Sequence, residues 1–105
     1  MATQRRTRVS SLEEIREIIR RNRPELQSRF HVDKIGVFGS YARGDQKKRS
    51  DIDFLVTFNK GISLFERADL YIYLEELMGR KVDVIPGRNL RHELRDYVSR
   101  DLIYI

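Results

Sequence analysis

The segment from Gly39 to Asp53 constrains the fold more than any other part of this sequence. Gly39 and Ser40 follow an apolar, β-branched stretch, and ten residues later Asp51-Ile52-Asp53 begins a stretch of alternating apolar and polar residues. Alternation with a period of two is typical of a β-strand, whose successive side chains point to opposite faces. Asp51 and Asp53 are therefore predicted on one face of a strand, just downstream of a glycine-containing turn.

The turn could bind a phosphate group, and the two carboxylates could bind a cation that accompanies it. Glycine lets a phosphate approach the backbone closely, and the Ser40 hydroxyl can donate to a phosphate oxygen. A Gly-Ser pair alone is more often an ordinary turn. Two carboxylates on one strand face repel each other unless a cation neutralises them, and Mg²⁺ prefers oxygen ligands that it shares with substrate phosphates. Together they favour a metal-dependent reaction of a nucleotide.

Asp83 is a third candidate carboxylate. It lies in the middle of the short β-branched stretch Lys81–Ile85, opposite in face to Val82 and Val84. A lone aspartate is unexpected in such a strand. If this strand neighbours the strand of Asp51 and Asp53, three carboxylates converge and can hold two metal ions for displacement at phosphorus. The alternative is an aspartate on an edge strand that faces water.

The remaining pattern predicts helices around these strands. The pairs Ser11/Glu14 and Ser63/Glu66 read as capping boxes that begin helices. The expected elements are a helix from about Ser11 to Asn22, a short turn from Pro24 to Phe30, strands over Val32–Phe38, Ile52–Phe58 and Lys81–Ile85, a helical turn over Ser40–Arg43, a long helix from Ser63 to Gly79, a helix capped by Asn89, and a short apolar edge strand within Leu102–Ile105. The fold class is therefore α/β (α+β): a small mixed sheet of three to four strands flanked by helices. We predict one domain over residues 10–105, preceded by a flexible basic tail, residues 1–9.

Composition excludes several classes of protein. The chain has no cysteine, which excludes disulfides and thiolate metal sites. No apolar run is long enough to span a bilayer, so a cytoplasmic protein without a membrane partner is expected. The net charge of +5 suits an anionic partner. However, the early basic residues also fit a solvated helix face, and no aromatic residue precedes Phe30, so a nucleic-acid partner is left open but not favoured. A homo-oligomer is also left open.

Three segments together resemble the minimal nucleotidyltransferase (MNT) family of the polymerase-β-like nucleotidyltransferase superfamily. They are Val37–Gly44, Asp51–Val56 and Gly79–Ile85. Each segment is common by itself, but their combination is specific. The resemblance implies the nucleotidyltransferase fold and the transfer of a nucleotide from ATP to a hydroxyl, with pyrophosphate as the leaving group.

The resemblance also implies roles for individual residues. Gly39 and Ser40 would bind the β- and γ-phosphates, and Arg43 would contact phosphates or, equally well, serve as a surface salt-bridge partner. The implied catalytic and metal-binding residues, with two Mg²⁺ ions, are Asp51, Asp53 and Asp83. Asp83 would also help to activate the acceptor hydroxyl.

In size and motifs the chain is similar to the antitoxin of HEPN/MNT toxin–antitoxin systems. This similarity implies transfer of AMP to a tyrosine of a HEPN ribonuclease. Neither His31 nor His92 follows an arginine at the HEPN spacing, so the chain would be the transferase half. The alternatives are a non-catalytic antitoxin that masks its partner and a nucleotidyltransferase directed at nucleic acid.

Overall fold

The computed structural model describes residues 8–87 and 92–105, and its elements follow the predicted order. The helices are α1 (Leu12–Arg21), α2 (Arg23–Phe30), α3 (Ser40–Arg43), α4 (Leu64–Met78) and α5 (His92–Asp101). The strands are β1 (Val32–Phe38), β2 (Ile52–Phe58), β3 (Val82–Pro86) and β4 (Ile103–Tyr104). The predicted α/β class and the small flanked sheet are confirmed.

The four strands form one mixed sheet in the order β3-β2-β1-β4. β1 pairs antiparallel with both β2 and β4, whereas β2 and β3 are parallel and α4 connects them. A parallel pair needs a long crossover connection, which the 15-residue helix α4 supplies. Pro86 ends β3 at the edge of the sheet, where its missing N–H leaves no ladder bond unmade.

The sheet is covered on both faces. The larger cluster packs α1, α2 and α4 onto one face; its fully buried members include Ile15, Ile19, Leu26, Ile52, Phe54, Leu70, Leu74 and Met78. A smaller cluster on the other face joins Phe38, Leu55 and Val98, the last of these from α5. Leu55 alternates with Phe54, so it lies on the same face as Asp53. The carboxylate face is thus partly covered by α5.

Local signals set most element boundaries. Ser63 and Glu66 form the complete capping box, with Glu66 N–H 3.1 Å from Ser63 Oγ and Ser63 N–H 2.8 Å from Glu66 Oε1. The box at Ser11 is only half formed, because the Glu14 carboxylate accepts from the N–H of Ser10 instead. The segment after Pro24 is a full eight-residue helix rather than a short turn. Proline is well placed in the first turn of a helix, where its missing N–H would have no partner.

The predicted N-terminal tail, residues 1–9, ends earlier in the chain than expected. Val9 is fully buried in the larger cluster, and its N–H donates to the Met78 carbonyl at 3.0 Å. The Val9 carbonyl accepts from the Arg80 guanidinium. The tail therefore extends no further than Arg8; residues 1–7, and the predicted cap Asn89, lie outside the described residues.

In the part of the chain that the structure describes, no helix is long and apolar enough to cross a membrane.

Candidate active site

Three strand ends meet at one end of the sheet and bring the predicted site residues together. Phe38, the last residue of β1, is the pairing partner of Asp53 in β2. Asp53 is in turn the pairing partner of Asp83 in β3. Because β2 and β3 are parallel and in this register, Asp53 and Asp83 lie side by side on the same face. The interpretation of Asp83 as a neighbour of the carboxylate pair therefore agrees with the register, although β3 is also an edge strand.

Gly39 brings the turn into contact with Asp53. Its backbone has φ 77° and ψ −150°, a region that is essentially restricted to glycine. A Cβ built on Gly39 would collide with the Oδ2 atom of Asp53. The Asp53 carboxylate therefore packs directly against the backbone of the turn, at the place where a side chain would otherwise be.

Ser40 begins the short helix α3. The N–H groups of Arg43 and Gly44 donate to the Gly39 and Ser40 carbonyls at 3.0 and 2.8 Å and close the turn. The first N–H groups of a helix have no acceptor within it. The turn can thus offer backbone N–H groups and the half-buried Ser40 side chain to an anion, next to Asp53.

Burial and like charges act together on Asp53. Partial burial, together with the negative charges of Asp83 and Asp51 and against the opposing charge of Arg43, raises the pKa of its carboxyl to about 6. Like charges at a short distance disfavour the ionised form. The site therefore has a negative potential that a bound cation would relieve.

The free energy of unfolding should reflect this unfavourable charge. The folded pKa of about 6 lies above the ordinary value of 3.8, so the folded state binds more protons between these values and stability falls as pH rises through that window. A shift of one pKa unit corresponds to ~1.4 kcal/mol, and solvent screening of the half-buried carboxyl reduces this energy. We therefore expect Asp53→Asn to stabilise the metal-free protein at pH 7 by on the order of 1 kcal/mol.

Urea unfolding of the wild-type and Asp53→Asn proteins in EDTA, between pH 4 and pH 7, measures this difference. The two proteins should have similar stability near pH 4 and diverge as the pH rises. A variant that is less stable than the wild type at pH 7 would contradict the argument.

The donor set fits Mg²⁺ that arrives with a nucleotide. Among the side chains that the structure describes, no three of His, Cys, Asp or Glu are gathered closely enough to hold a metal ion by themselves. Mg²⁺ in nucleotide sites is usually held by one or two carboxylates together with substrate phosphates. Asp51 and Asp53 provide such carboxylates beside the phosphate-sized turn. Asp83 as a further ligand stays a prediction.

Arg43 forms two salt bridges, which agrees with the second of the two roles considered for it from the sequence. Its Nε and Nη1 atoms lie 3.1 and 2.8 Å from the carboxylates of Asp45 and Asp101. These pairs tie the turn to the following loop and to α5. A phosphate contact by Arg43 stays a prediction.

A basic cavity beside Asp51 was not anticipated as a unit. It has a volume of about 160 Å³ and is lined by Arg8, Lys48, Arg49, Ser50, Asp51, Arg80 and Lys81. The loop part of this wall is held by Arg80, whose Nη1 donates to the Lys48 carbonyl at 2.6 Å. The run Lys47-Lys48-Arg49 just before Asp51 was the sequence signal for it. A basic wall next to the carboxylates suits the phosphates of a nucleotide.

Tyr71 of α4 is affected by the charges of the site. Burial raises the pKa of its hydroxyl, and the charges of Glu75, Asp83 and Asp51 raise it further. The negative charges of the carboxylates therefore act on Tyr71, although α4 packs on the other face of the sheet. Sequence periodicity assigned Tyr71 to the helix but gave no sign of this position.

Comparisons with known proteins agree with this geometry. A family model described as the nucleotidyltransferase domain matches residues 12–105. The chain is 42% identical over 95 residues to the protein adenylyltransferase MntA of Thermococcus cleftensis. The alignment covers 90% of this chain and 96% of that protein.

Two solved structures extend the likeness to the fold. A structure described as a minimal nucleotidyltransferase has a TM-score of 0.74 and 38% identity, covering 90% of this chain and 95% of the other. A toxin–antitoxin crystal structure with AMP-PNP has a TM-score of 0.65 and 26% identity, covering 88% of this chain and 69% of the other. Because the family model spans most of the chain, and the Thermococcus protein and the first structure match over nearly their whole length, this chain belongs to the nucleotidyltransferase domain family and is a minimal nucleotidyltransferase.

Proposed function

We propose that this chain is a protein adenylyltransferase that moves AMP from ATP to a hydroxyl of a partner protein. The observation that carries the proposal is the packing of Asp53, the pairing partner of Asp83, against Gly39 of a phosphate-sized turn. The 42% identity to a protein adenylyltransferase supports a protein acceptor, and AMP-PNP in a similar structure supports ATP as the donor.

We further propose that the acceptor is a tyrosine of a HEPN-type ribonuclease toxin and that the chain is its antitoxin. A toxin–antitoxin pair is among the similar structures. AMP on a tyrosine adds a bulky anion to the toxin, which would impede its binding of RNA, itself a polyanion.

Different residues of the site would have different roles in nucleotide transfer. The turn at Gly39 and Ser40 would bind the β- and γ-phosphates, and the basic cavity beside Asp51 would attract the anionic nucleotide. Asp51 and Asp53, with Asp83, would hold Mg²⁺, which when bound would neutralise charge on the reacting phosphates. Holding donor and acceptor in line supplies much of the rate enhancement in such reactions.

The reaction itself is a displacement at the α-phosphorus. The acceptor oxygen forms a bond to this phosphorus while the bond from the phosphorus to the β-phosphate bridging oxygen breaks, and pyrophosphate leaves. Asp83 is exposed on β3, so it can accept the hydroxyl proton as the new bond forms.

Intact-mass spectrometry of a co-expressed HEPN partner tests the proposal. We expect the partner to gain one or more AMP units with the wild-type chain and none with Asp51→Asn. Suppression of toxicity without a mass change would instead indicate a mask. Labelled AMP on RNA rather than on protein would indicate a transferase directed at nucleic acid.

A further inference from the structure

The end of α5 lies close to the phosphate-sized turn. β4 pairs antiparallel with β1, and Ile103 is the pairing partner of Val37. Asp101, the last residue of α5, comes two residues before Ile103, and Gly39 comes two residues after Val37. Because the two segments run in opposite directions, Asp101 is brought near the turn. The strand order β3-β2-β1-β4 places it on the opposite side of β1 from Asp53.

Arg43 connects Asp101 to the turn. The Arg43 Nη1 atom lies 2.8 Å from the Asp101 carboxylate, and the Asp101 side chain is only 15% exposed. The backbone N–H of Arg43 donates to the Gly39 carbonyl at 3.0 Å, so the arginine belongs to the turn itself. An ion pair that is largely shielded from water is less screened than an exposed pair. The pair therefore holds the Arg43 guanidinium in a fixed place beside the turn.

Asp101 is poorly placed for the stability of α5 alone. A negative charge at the C-terminal end of a helix is unfavourable, because the unpaired carbonyl groups there carry negative partial charge. The segment is already attached to the sheet by apolar contacts, since Val98 and Leu102 pack with Phe38 and Leu55. The ion pair thus has a consequence other than attachment of α5, namely the orientation of Arg43.

The two ion pairs of Arg43 leave one of its nitrogen atoms available. Nε lies 3.1 Å from Asp45, and Nη1 is the atom that pairs with Asp101. In the part of the chain that the structure describes, Nη2 has no hydrogen-bond partner. A planar guanidinium held at two nitrogens has a fixed orientation, and the Arg43 side chain is 42% exposed. Nη2 can therefore bind a ligand that arrives from solvent.

We propose that Asp101 is a positioning residue, which holds Arg43 so that its Nη2 group contacts the phosphates of ATP at the turn. This inference rests on the proposed function and adds the C-terminal segment to the donor site. Hydrogen bonds from arginine to phosphate are among the strong ones in proteins. A guanidinium that is restrained before the nucleotide arrives loses little conformational freedom on binding, and such preorganisation increases affinity.

The charge of Asp101 by itself would have the opposite effect. A carboxylate near the turn repels the phosphates of a bound nucleotide. If Asp101 had no role beyond this charge, its neutralisation would strengthen the binding of ATP. If Asp101 positions Arg43, the same change weakens binding. The sign of the change in affinity therefore distinguishes the two roles.

Calorimetric titration of Mg-ATP into the chain, without an acceptor, measures this sign. Asp101→Asn keeps the size of the side chain and removes its charge, and we expect the dissociation constant for Mg-ATP to rise roughly tenfold, the cost of one weakened hydrogen bond to a charged group. Asp101→Glu keeps the charge on a longer side chain and should weaken binding less. Asp96→Asn is the matched control, because Asp96 is an exposed aspartate of the same helix, and it should bind like the wild type.

A double variant shows whether Asp101 acts through Arg43. We expect Arg43→Gln to weaken Mg-ATP binding at least as much as Asp101→Asn does. Adding Asp101→Asn to Arg43→Gln should then cause no further loss, because residues that act as a unit are not additive. Losses that multiply in the double variant would show that Asp101 acts independently of Arg43 and would overturn the proposal.

The outcomes separate the positioning of Arg43 from the proposed function. In AMP transfer, Asp101→Asn should raise the KM for ATP and leave the KM for the acceptor unchanged. If Asp101→Asn weakens Mg-ATP binding but the wild type transfers no AMP to a protein, the positioning role stands and the proposed function fails.

If Asp101→Asn and Asp101→Glu bind Mg-ATP as tightly as the wild type, or more tightly, the positioning role is overturned while the function stands. If thermal unfolding shows that Asp101→Asn does not fold, the affinity of Asp101→Glu decides in the same way. A wild-type chain that does not bind Mg-ATP would overturn both proposals.

Discussion

Replacement of Asp53 with asparagine will lower AMP transfer by at least about a thousandfold, because a metal-holding carboxylate supports several kcal/mol of transition-state stabilisation. Asparagine keeps the size of the side chain against Gly39 but removes the charge that would hold Mg²⁺. Since that charge is unfavourable in the metal-free fold, the variant should be inactive and yet at least as stable as the wild type. Pyrophosphate release in the presence of the acceptor measures the rate.

Asp33→Asn is the control for this variant. Asp33 is another strand aspartate, but it is exposed and lies near the start of β1, at the other end from the turn. We expect it to transfer AMP like the wild type. Substantial transfer by Asp53→Asn would rule out the assignment of the site, and inactivity of Asp33→Asn would show that the loss is not specific to it.

Gly39→Ala should have the second largest effect, because it combines backbone strain with a collision. The backbone conformation alone costs about 1–3 kcal/mol for a residue other than glycine, and the new methyl group would displace the Asp53 carboxylate. We therefore expect both a lower free energy of unfolding and a rate reduced by about a hundredfold or more, the loss typical of misplaced reacting groups. Chemical denaturation and pyrophosphate release measure the two effects.

Two other glycines separate strain from collision. Gly44 has φ 84° but open space around its Cα, so Gly44→Ala should show the cost of the backbone alone. Gly61 has neither restriction, and Gly61→Ala should be neutral or slightly stabilising. Equal rates of AMP transfer by Gly39→Ala and Gly44→Ala would show that the collision with Asp53 does not impair the site.

Strong local patterns predicted the elements that build the site. The alternation from Asp51 to Phe58 identified β2 and the shared face of its carboxylates, and the capping box at Ser63 placed the start of α4. The parallel register of Asp53 and Asp83 could be expected only conditionally, because a single sequence does not state which strands are neighbours. The capping pattern at Ser11 was less reliable, since Ser10 competes for the Glu14 carboxylate.

Contacts between segments that are far apart in the chain could not be predicted from local sequence patterns. Val9 is a lone apolar residue in a basic stretch, and nothing local indicates that Met78 and Arg80 fix it in the core. The basic cavity likewise joins Arg8, the loop before Asp51 and the turn after α4. The exposure of Leu64 and Phe65 had no sequence signal either, because periodicity identifies α4 as a helix but not which of its apolar side chains are covered.

The crossover from β2 through α4 to β3 also affects when the chain becomes active during folding. The antiparallel pair β1–β2 assembles the turn and Asp53 from residues that are near in sequence, but Asp83 joins them only after a long loop has closed. Contacts of such sequence separation form slowly because the entropy of loop closure must be overcome first. With the role proposed for Asp83, we expect full transfer activity to require the complete sheet, so that its recovery during refolding would report the formation of the β2–β3 pair.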